Sequence, residues 1–361
     1  MHIGMALPVL GDLILKSNAE KRDIIAPAAK LSFAARDGQA PALGFHINGA
    51  AVDASLTDFA FKQLGQWAEI PAKYIERMTA SQNHTLLEQN VNHWLQTSKE
   101  SRMVRLFSNG TTIARAFLSD KYRPLDNFDL AHAIMPKITS NGLSVKSASL
   151  TETKLYLQVV DEKLMARIKP SVHQRDIDGT VHAGCVISNS EVGAGRLLVE
   201  PMVYRVVCTN GLISGTSLRR NHIGRGLARD DEAFEYFSDD TRRLDDVAFW
   251  SKVSDVIDAA FDESRFRALV AKLQDATTIE LPMNPQLIVD VTARRLDLNE
   301  GEKEQMLRHL FQSGDSTLFG VTNAVTRTAQ DASSYDRAIE LERLGSEVLA
   351  FKPSDFALSD N

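Results

Sequence analysis

Arginines and lysines in the middle of the chain are the residues whose types and spacing best suit a chemical role. They lie on or beside short apolar runs that also contain aromatic residues, as in "ARAFLSDKYRPLDN" (114–127). A basic groove can follow the phosphates of a single-stranded nucleic acid while aromatic rings stack on its bases, and arginine can bind a phosphate through two parallel hydrogen bonds. The predicted nucleic-acid contacts are Arg115, Lys121, Arg123, Arg205, Arg219, Arg220 and Arg225, with Tyr122 and Phe117 as stacking rings.

The charge is unevenly distributed along the chain. Residues 101–229 contain 18 Lys and Arg against 10 Asp and Glu, residues 230–361 contain 14 against 27, and the net charge of the whole is −6. A basic middle before an acidic end indicates either a domain that binds a polyanion or two domains that attract each other. In the second case Arg115 and Arg205 would be half-buried strand residues paired with carboxylates of the acidic end. Uneven surface composition without a partner is the third interpretation.

A second hypothesis is an enzyme that acts on a nucleotide or a phosphodiester. Polar residues interrupt an apolar run at "SNSEVG" (188–193), although they also fit the end of a strand. His222 follows two arginines and would suit a general acid beside a phosphate. The sequence has neither the Gly-x-Ser-x-Gly elbow nor the His-Glu-x-x-His helix of known hydrolases, so a binding protein is favoured over an enzyme. The weak catalytic candidates are Glu191, Asn210 and His222.

A metal site is a further, weaker possibility. Two imidazoles and two thiolates could hold a tetrahedral zinc ion. Only His182 and Cys185 are close in sequence, and a cysteine in an apolar run is commonly a buried strand residue. We therefore expect no metal and no cofactor. The candidates in this set are His182, Cys185, Cys208 and His222.

The composition indicates a globular protein and argues against membrane-spanning, secreted and disulfide-rich classes. The hydrophobic content of 43% is ordinary for a globular protein, and no run approaches the roughly 18 apolar residues of a membrane-spanning helix. The opening "MHIGMALPVLGDLILKS" lacks the basic start of a signal peptide, and two cysteines are too few for a disulfide framework. These features predict a cytoplasmic protein without a membrane partner.

Turn signals predict where the strands end. Asn109-Gly110 between two apolar runs is a strong hairpin signal because both turn positions need a positive φ. Gly193-Ala194-Gly195 lacks the third glycine of a dinucleotide loop and is predicted to be a hairpin turn. Asn210-Gly211 is predicted to be the turn that ends the strand "YRVVCT" (204–209).

Helical periodicity appears on both sides of this strand-rich middle. Thr57 is predicted to cap the first of two short helices around "AEIPAKY" (68–74). For this helix pair, packing in the core is favoured over a DNA-binding helix-turn-helix. Further helices are predicted at "HTLLEQNVNHWLQTS" (84–98) and at 127–138. After residue 230 the pattern is helical almost throughout. The predicted fold is α+β, with a mixed central antiparallel sheet and packed helices followed by a mainly helical C-terminal module. The predicted divisions are 1–100 (strands and helices), 101–228 (basic sheet) and 229–361 (acidic helices).

"RVVCTNGLI" with "LRRNHIG" resembles the phage and plasmid family called domain of unknown function 932. Further segments that carry the resemblance are 59–78, 114–127, 188–212 and 320–349. The resemblance implies a protein of a phage, plasmid or other mobile element, which makes DNA the expected ligand. It supplies no catalytic residues.

Charge, strands and this context together predict a nucleic-acid-binding protein. We expect it to bind or anneal single-stranded DNA, in recombination or maintenance of the element, with a homo-oligomer possible. A third hypothesis is a protein-interaction factor or DNA mimic that acts through the acidic helices; acidic residues that face solvent without covering the basic sheet would favour it.

Overall fold

The Asn109-Gly110 hairpin is confirmed in the computed structural model of the chain. Gly110 has φ +74° and joins the antiparallel strands Ser101–Asn109 and Thr111–Ser119. Asn109 does not have the predicted positive φ, because it ends the first strand and pairs with Thr111. The structure describes residues 4–122, 125–169, 171, 173, 178–205, 210–214, 218–220, 239–282 and 284–356.

The described strands form two six-stranded sheets. The first contains β1 (Lys21–Pro27), β2 (Ser32–Ala34), β3 (Ala42–Ile47), β4 (Ala50–Leu56), β5 (Ser101–Asn109) and β6 (Thr111–Ser119). Their order is β1-β5-β6-β4-β3-β2, with β4 and β6 parallel and the other pairs antiparallel. This sheet therefore takes strands from both sides of residue 100.

The second sheet is antiparallel. It contains β7 (Ser144–Leu150), β8 (Leu155–Arg167), β9 (Thr180–Asn189), β10 (Leu197–Arg205), β11 (Asn210–Ile213) and β12 (Leu218–Arg220). The order is β11-β10-β9-β8-β7, and β12 also pairs with β10. Because β11 pairs with the last residues of β10 and β12 with the first, the two short strands together follow one edge of β10.

Asn210 and Gly211 are the first residues of β11, so the prediction that they form the turn is wrong. Gly211 is the partner of Tyr204 on β10, and a Cβ on it would lie 2.3 Å from Met202 Sδ. The glycine is therefore required by close packing within a strand. The Asn-Gly signal was misleading because Asn210 is already the ladder partner of Arg205.

The helices of the described part lie mainly before β5 and after β12. They are α1 (Leu7–Glu20), α2 (Asp58–Trp67), α3 (Ala72–Ala80), α4 (His84–Thr97), α5 (Asn127–Ser140), α6 (Asp239–Ala260), α7 (Glu263–Ala276), α8 (Pro285–Leu296), α9 (Glu300–Ser313), α10 (Leu318–Thr328) and α11 (Tyr335–Val348), with short 3₁₀ turns at Ala28–Lys30, Ala329–Asp331 and Pro353–Phe356. None of them is long and apolar enough to cross a membrane. The predicted cap is confirmed, since Thr57 accepts a hydrogen bond from the Ala60 N–H (3.2 Å). Helix α1 was not predicted, because only Leu10 and Ile14 of its residues are buried.

Helices cover one face of the first sheet and both faces of the second. Helices α2 and α4 pack on the first sheet through a common apolar core. On β9, Cys185 and Ile187 contact the core of α5 and α6, while Val181 and Ala183 on the same face contact the core of α7–α10. Val186, on the opposite face, packs with Ile339 of α11. The predicted α+β class with a helical C-terminal region is confirmed, with the strands divided between two sheets, and the acidic helices cover the second sheet.

Candidate functional site

The loop between β9 and β10 of the second sheet, residues 190–196, packs against the first sheet. We call it the glycine loop. Gln63 of α2 donates a hydrogen bond from Nε2 to the carbonyl oxygen of Val192 (2.8 Å). Gly193 has φ +81°, and a Cβ on it would lie 2.6 Å from Leu118 of β6. The loop is therefore held against the first sheet, and its predicted role as a hairpin connection is confirmed by the antiparallel pairing of β9 and β10.

Arg105 of β5 joins the glycine loop to the edge of the first sheet. The side chain is 1% exposed, and it donates two hydrogen bonds to Asp23 (2.8 and 2.7 Å), one to Asp126 (2.8 Å) and one to the carbonyl oxygen of Glu191 (3.1 Å). Burial alone would lower the pKa of Arg105, but the hydrogen bonds with Asp23 and the charge of Asp126 raise it. A buried cation with this many anionic partners is a fixed structural link.

Glu191, a predicted catalytic candidate, belongs to the same network. Its Oε1 accepts a hydrogen bond from the backbone N–H of Asn127 (2.7 Å), the first residue of α5. A helix N-terminus stabilises a negative charge. Burial raises the pKa of Glu191, and the hydrogen bond from Asn127 opposes that rise. With a side chain that is 6% exposed, Glu191 holds α5 against the glycine loop.

Arg115 fixes a second turn to the first sheet. Its Nη2 donates a hydrogen bond to the carbonyl oxygen of Glu152 (2.8 Å), in the turn between β7 and β8. The guanidinium lies 4.5 Å from the ring centroid of Phe107, and burial lowers its pKa. Its neighbour Phe117 is 1% exposed, so the prediction that this ring stacks on a base is wrong: alternation along β6 turns it into the core under α2.

Tyr122 contacts the glycine loop from the turn after β6. Its hydroxyl donates a hydrogen bond to the carbonyl oxygen of Ser190 (3.4 Å). Burial raises the pKa of Tyr122 to about 12, so the phenol is neutral at pH 7. Because the ring packs beside Val192 in a small apolar cluster, its predicted function as a stacking ring would require the loop to move.

Three cationic residues lie in or near the glycine loop. Lys121 follows β6, Lys154 ends the turn between β7 and β8, and Arg196 directly precedes β10. A Cβ on Gly195 would lie 3.1 Å from Lys154 Cε, so the lysine stem lies along the loop. Arg196 is exposed, and neither it nor Lys154 forms an ion pair with another described residue. We call these three residues the basic corner.

The backbone of β12 reaches the same place. Arg220 pairs with Leu197, the residue after Arg196, and Arg219 pairs with the next residue of β10. The backbone pairing therefore places two predicted phosphate contacts, Arg219 and Arg220, next to Arg196 of the basic corner. The structure does not describe the side chains of Arg219 and Arg220. Arg123 and Arg225 lie wholly outside the described residues.

A groove of about 690 Å³ lies on the helical side of the first sheet. Trp67 of α2, Tyr74 of α3 and Trp94 of α4 line it, with Glu69 and Glu100 among its polar residues. Trp94 is 46% exposed, which is unusual for so large an apolar side chain. We call this cavity the aromatic groove. The sequence does not reveal this groove, because aromatic residues at helical spacing are equally typical of a buried helix face.

The aromatic groove and the turn that contains Lys121 lie at the same end of strands β5 and β6. Arg102 of β5 places its guanidinium 5.7 Å from the ring centroid of Trp67. Arg102 is also the ladder partner of Ser119, which lies two residues before Lys121. Phe117 faces the helices and Leu118 faces the glycine loop, so a ligand that contacts both surfaces passes around this end of the sheet.

Two other predicted residues lie far from this end of the sheet. Asn210 pairs with Arg205 at the last residue of β10, whereas Glu191 lies before the first, so β10 separates the two catalytic candidates. Arg205 is 9% exposed, and its guanidinium is 5.3 Å from the Phe319 ring centroid in α10. His222 lies outside the described residues. The structure therefore does not bring Glu191 and Asn210 into one pocket.

The metal candidates are likewise separated. His182 and Cys185 are three residues apart on β9, so they point to opposite faces of the sheet. Burial raises the pKa of the Cys185 thiol to about 12, which disfavours the thiolate that a metal needs. Cys208 and His222 lie outside the described part of the chain. In that part, no three His, Cys, Asp or Glu residues are grouped as metal ligands.

Comparison with protein-family models, with curated proteins and with solved structures found no match to this chain. The family resemblance therefore stays a prediction from the sequence.

Proposed function

We propose that the protein binds single-stranded nucleic acid around the end of the first sheet where β5 begins and β6 ends, with phosphates at the basic corner and bases in the aromatic groove. The observation that carries the proposal is the position of Arg102, which links the rim of an open aromatic cavity to the turn that contains Lys121. Proteins that bind single strands commonly place basic residues, which bind the phosphates, beside exposed aromatic rings, which stack on the bases.

The polar residues of the aromatic groove favour bases over phosphates inside it. Glu69 and Glu100 would repel a phosphate, whereas a carboxylate can accept a hydrogen bond from the amino group of a base. Phosphates are instead attracted to Lys154 and Arg196 outside the groove. Bases in a duplex are stacked on each other and cannot enter the groove, so single strands are the preferred ligand. DNA of a mobile element is the source that the family resemblance implies.

Fluorescence anisotropy with labelled single-stranded and double-stranded DNA and RNA tests this proposal on the full chain. At ~50 mM salt we expect micromolar or tighter binding of single strands and weaker binding of duplexes. Loss of one base-stacking ring costs about 1–3 kcal/mol, so Trp94→Ala should weaken single-strand binding by about 5- to 150-fold.

Phe311→Ala is the matched control. Phe311 is 65% exposed on α9, away from the first sheet, and its removal should leave the affinity unchanged. Absence of any anisotropy change for the unaltered protein, or an equal loss in the two variants, would refute the proposal.

A further inference from the structure

Helix α10 presents polar residues on the face that packs against the second sheet. Phe319, Thr322, Asn323 and Thr326 recur at spacings of three and four, which places them on one side of the helix. Thr322 is 1% and Thr326 2% exposed. A buried helix face normally carries apolar residues. The hydroxyls of Thr322 and Thr326 donate to helix carbonyl oxygens, so Asn323 is the polar side chain of this stripe that remains to be explained.

Arg205 lies opposite the stripe. It is the last residue of β10 and 9% exposed, and its guanidinium lies over the ring of Phe319. It forms no hydrogen bond or ion pair with another residue in the described part of the chain. Buried Arg105 and half-buried Arg343 differ in this respect, because they bind Asp23 and Glu200. A buried cation without a counter-charge is costly.

Asn323 supplies a second donor without an acceptor. Its Nδ2 is buried and has no hydrogen-bond partner among the residues that the structure describes. The hydroxyl of Thr322 donates to the carbonyl oxygen of Leu318 (2.9 Å) and cannot neutralise the guanidinium. Arg205, Thr322 and Asn323 all line one cavity of about 20 Å³, whose remaining walls are mainly apolar. That volume exceeds the ~10–15 Å³ that a buried water needs.

We propose that this cavity admits one or two oxygen atoms of an oxyanion, a carboxylate or phosphate group, between Arg205 and Asn323. Guanidinium and amide donors match the lone pairs of an oxyanion, and the cavity is too small for more than the end of the ligand. We call it the anion site. It lies about 30 Å from Arg196 along the extended strand β10, so it is separate from the basic corner and does not rest on the proposed nucleic-acid function.

Thermal unfolding of the full chain tests the anion site. Sodium phosphate and sodium acetate are each titrated into a sodium chloride background at constant ionic strength. An anion that binds only the folded state raises Tm in a saturable way. A rise with phosphate alone assigns a phosphate group, a rise with acetate alone assigns a carboxylate group, and a rise with both assigns the shared oxyanion chemistry.

Asn323→Asp provides the decisive variant. The substitution keeps the side-chain shape and places a carboxylate beside Arg205, so it should raise Tm in the absence of added anion and abolish the response. Arg205→Met should also abolish the response where it folds, whereas Arg308→Met on the exposed face of α9 should retain it. No saturable rise in the unaltered protein, or an undiminished rise in Asn323→Asp, would overturn the proposal, whatever the outcome of the DNA-binding measurements.

Discussion

Asp23 and Arg105 face each other across β1 and β5, and the guanidinium donates two hydrogen bonds to the carboxylate. The same guanidinium reaches Asp126 at the start of α5 and the backbone of Glu191 in the glycine loop. One buried cation thus links the edge of the first sheet to segments 21 and 86 residues away. The relative placement of the basic corner and the first sheet depends on it.

Replacing this arginine should destabilise the protein strongly. In Arg105→Met, Asp23 loses its cation and Asp126 keeps only its ion pair with Lys21, and removal of one partner of a buried pair costs up to about 3–5 kcal/mol. Urea unfolding at pH 7 measures the loss. Arg36→Met is the control, since the Arg36–Asp53 pair is exposed and should contribute less than about 1 kcal/mol. Similar losses in both variants would contradict the assigned role.

Glu342 should make the stability depend on pH. Burial raises the pKa of this carboxyl to about 7, although hydrogen bonds from the Gly211 N–H and Gln158, and the charge of Arg343, oppose the rise. The folded state therefore binds a proton more tightly than the unfolded state does. Its contribution to stability is complete below the ordinary carboxyl pKa and is lost as the pH rises through about 7.

Comparison with Glu342→Gln isolates this contribution. Glutamine keeps the size of the side chain and an oxygen that accepts from Gly211, but it carries no charge. The variant should match the unaltered protein near pH 4 and exceed it near pH 8, by on the order of 1–3 kcal/mol. Denaturant unfolding across this pH range measures the difference. A difference that does not change with pH would show that Glu342 does not titrate in the folded state.

The sequence predicts elements best where local chemistry decides them. The Asn109-Gly110 turn and the Thr57 cap each depend on a few neighbouring residues, and both are confirmed. Asn210-Gly211 has the same local signal as Asn109-Gly110, yet it lies within β11. Contact with Met202 on the neighbouring strand accounts for that glycine, and no local pattern contains this contact.

The candidate sites depend on contacts between distant segments, which one sequence does not reveal. Arg105 was one basic residue among many in the sequence, and its carboxylate partners come from β1 and the start of α5. The aromatic groove combines residues of three helices whose periodicity is equally compatible with a core. The place of Arg205 in an apolar strand marks it as important in the sequence. Its burial under Phe319 could not be predicted, because it depends on where α10 packs.

Gly211→Ala should destabilise the fold through overpacking. The new methyl group would lie 2.3 Å from Met202 Sδ and 3.4 Å from Glu342 Oε2, and Met202 is 2% exposed and cannot move into solvent. Overpacking of this kind costs about 1–3 kcal/mol. Gly11→Ala in α1 is the opposite case, because its Cβ meets nothing within 4 Å, and it should stabilise the helix by about 0.5–1 kcal/mol. Thermal unfolding of the two variants should therefore give shifts of opposite sign.

Salt dependence should separate the basic corner from the aromatic groove in nucleic-acid binding. Each phosphate contact contributes about 0.9 for duplex DNA, or about 0.7 for a single strand, to the slope of log K against log salt. Lys154→Ala with Arg196→Ala should therefore lower the slope for single-stranded DNA by up to about 1.4. Trp94→Ala should weaken binding at every salt concentration and leave the slope unchanged, because stacking releases no counterions. Arg308→Ala, on α9, should change neither quantity. If the double variant keeps the full slope, the phosphates lie elsewhere on the protein.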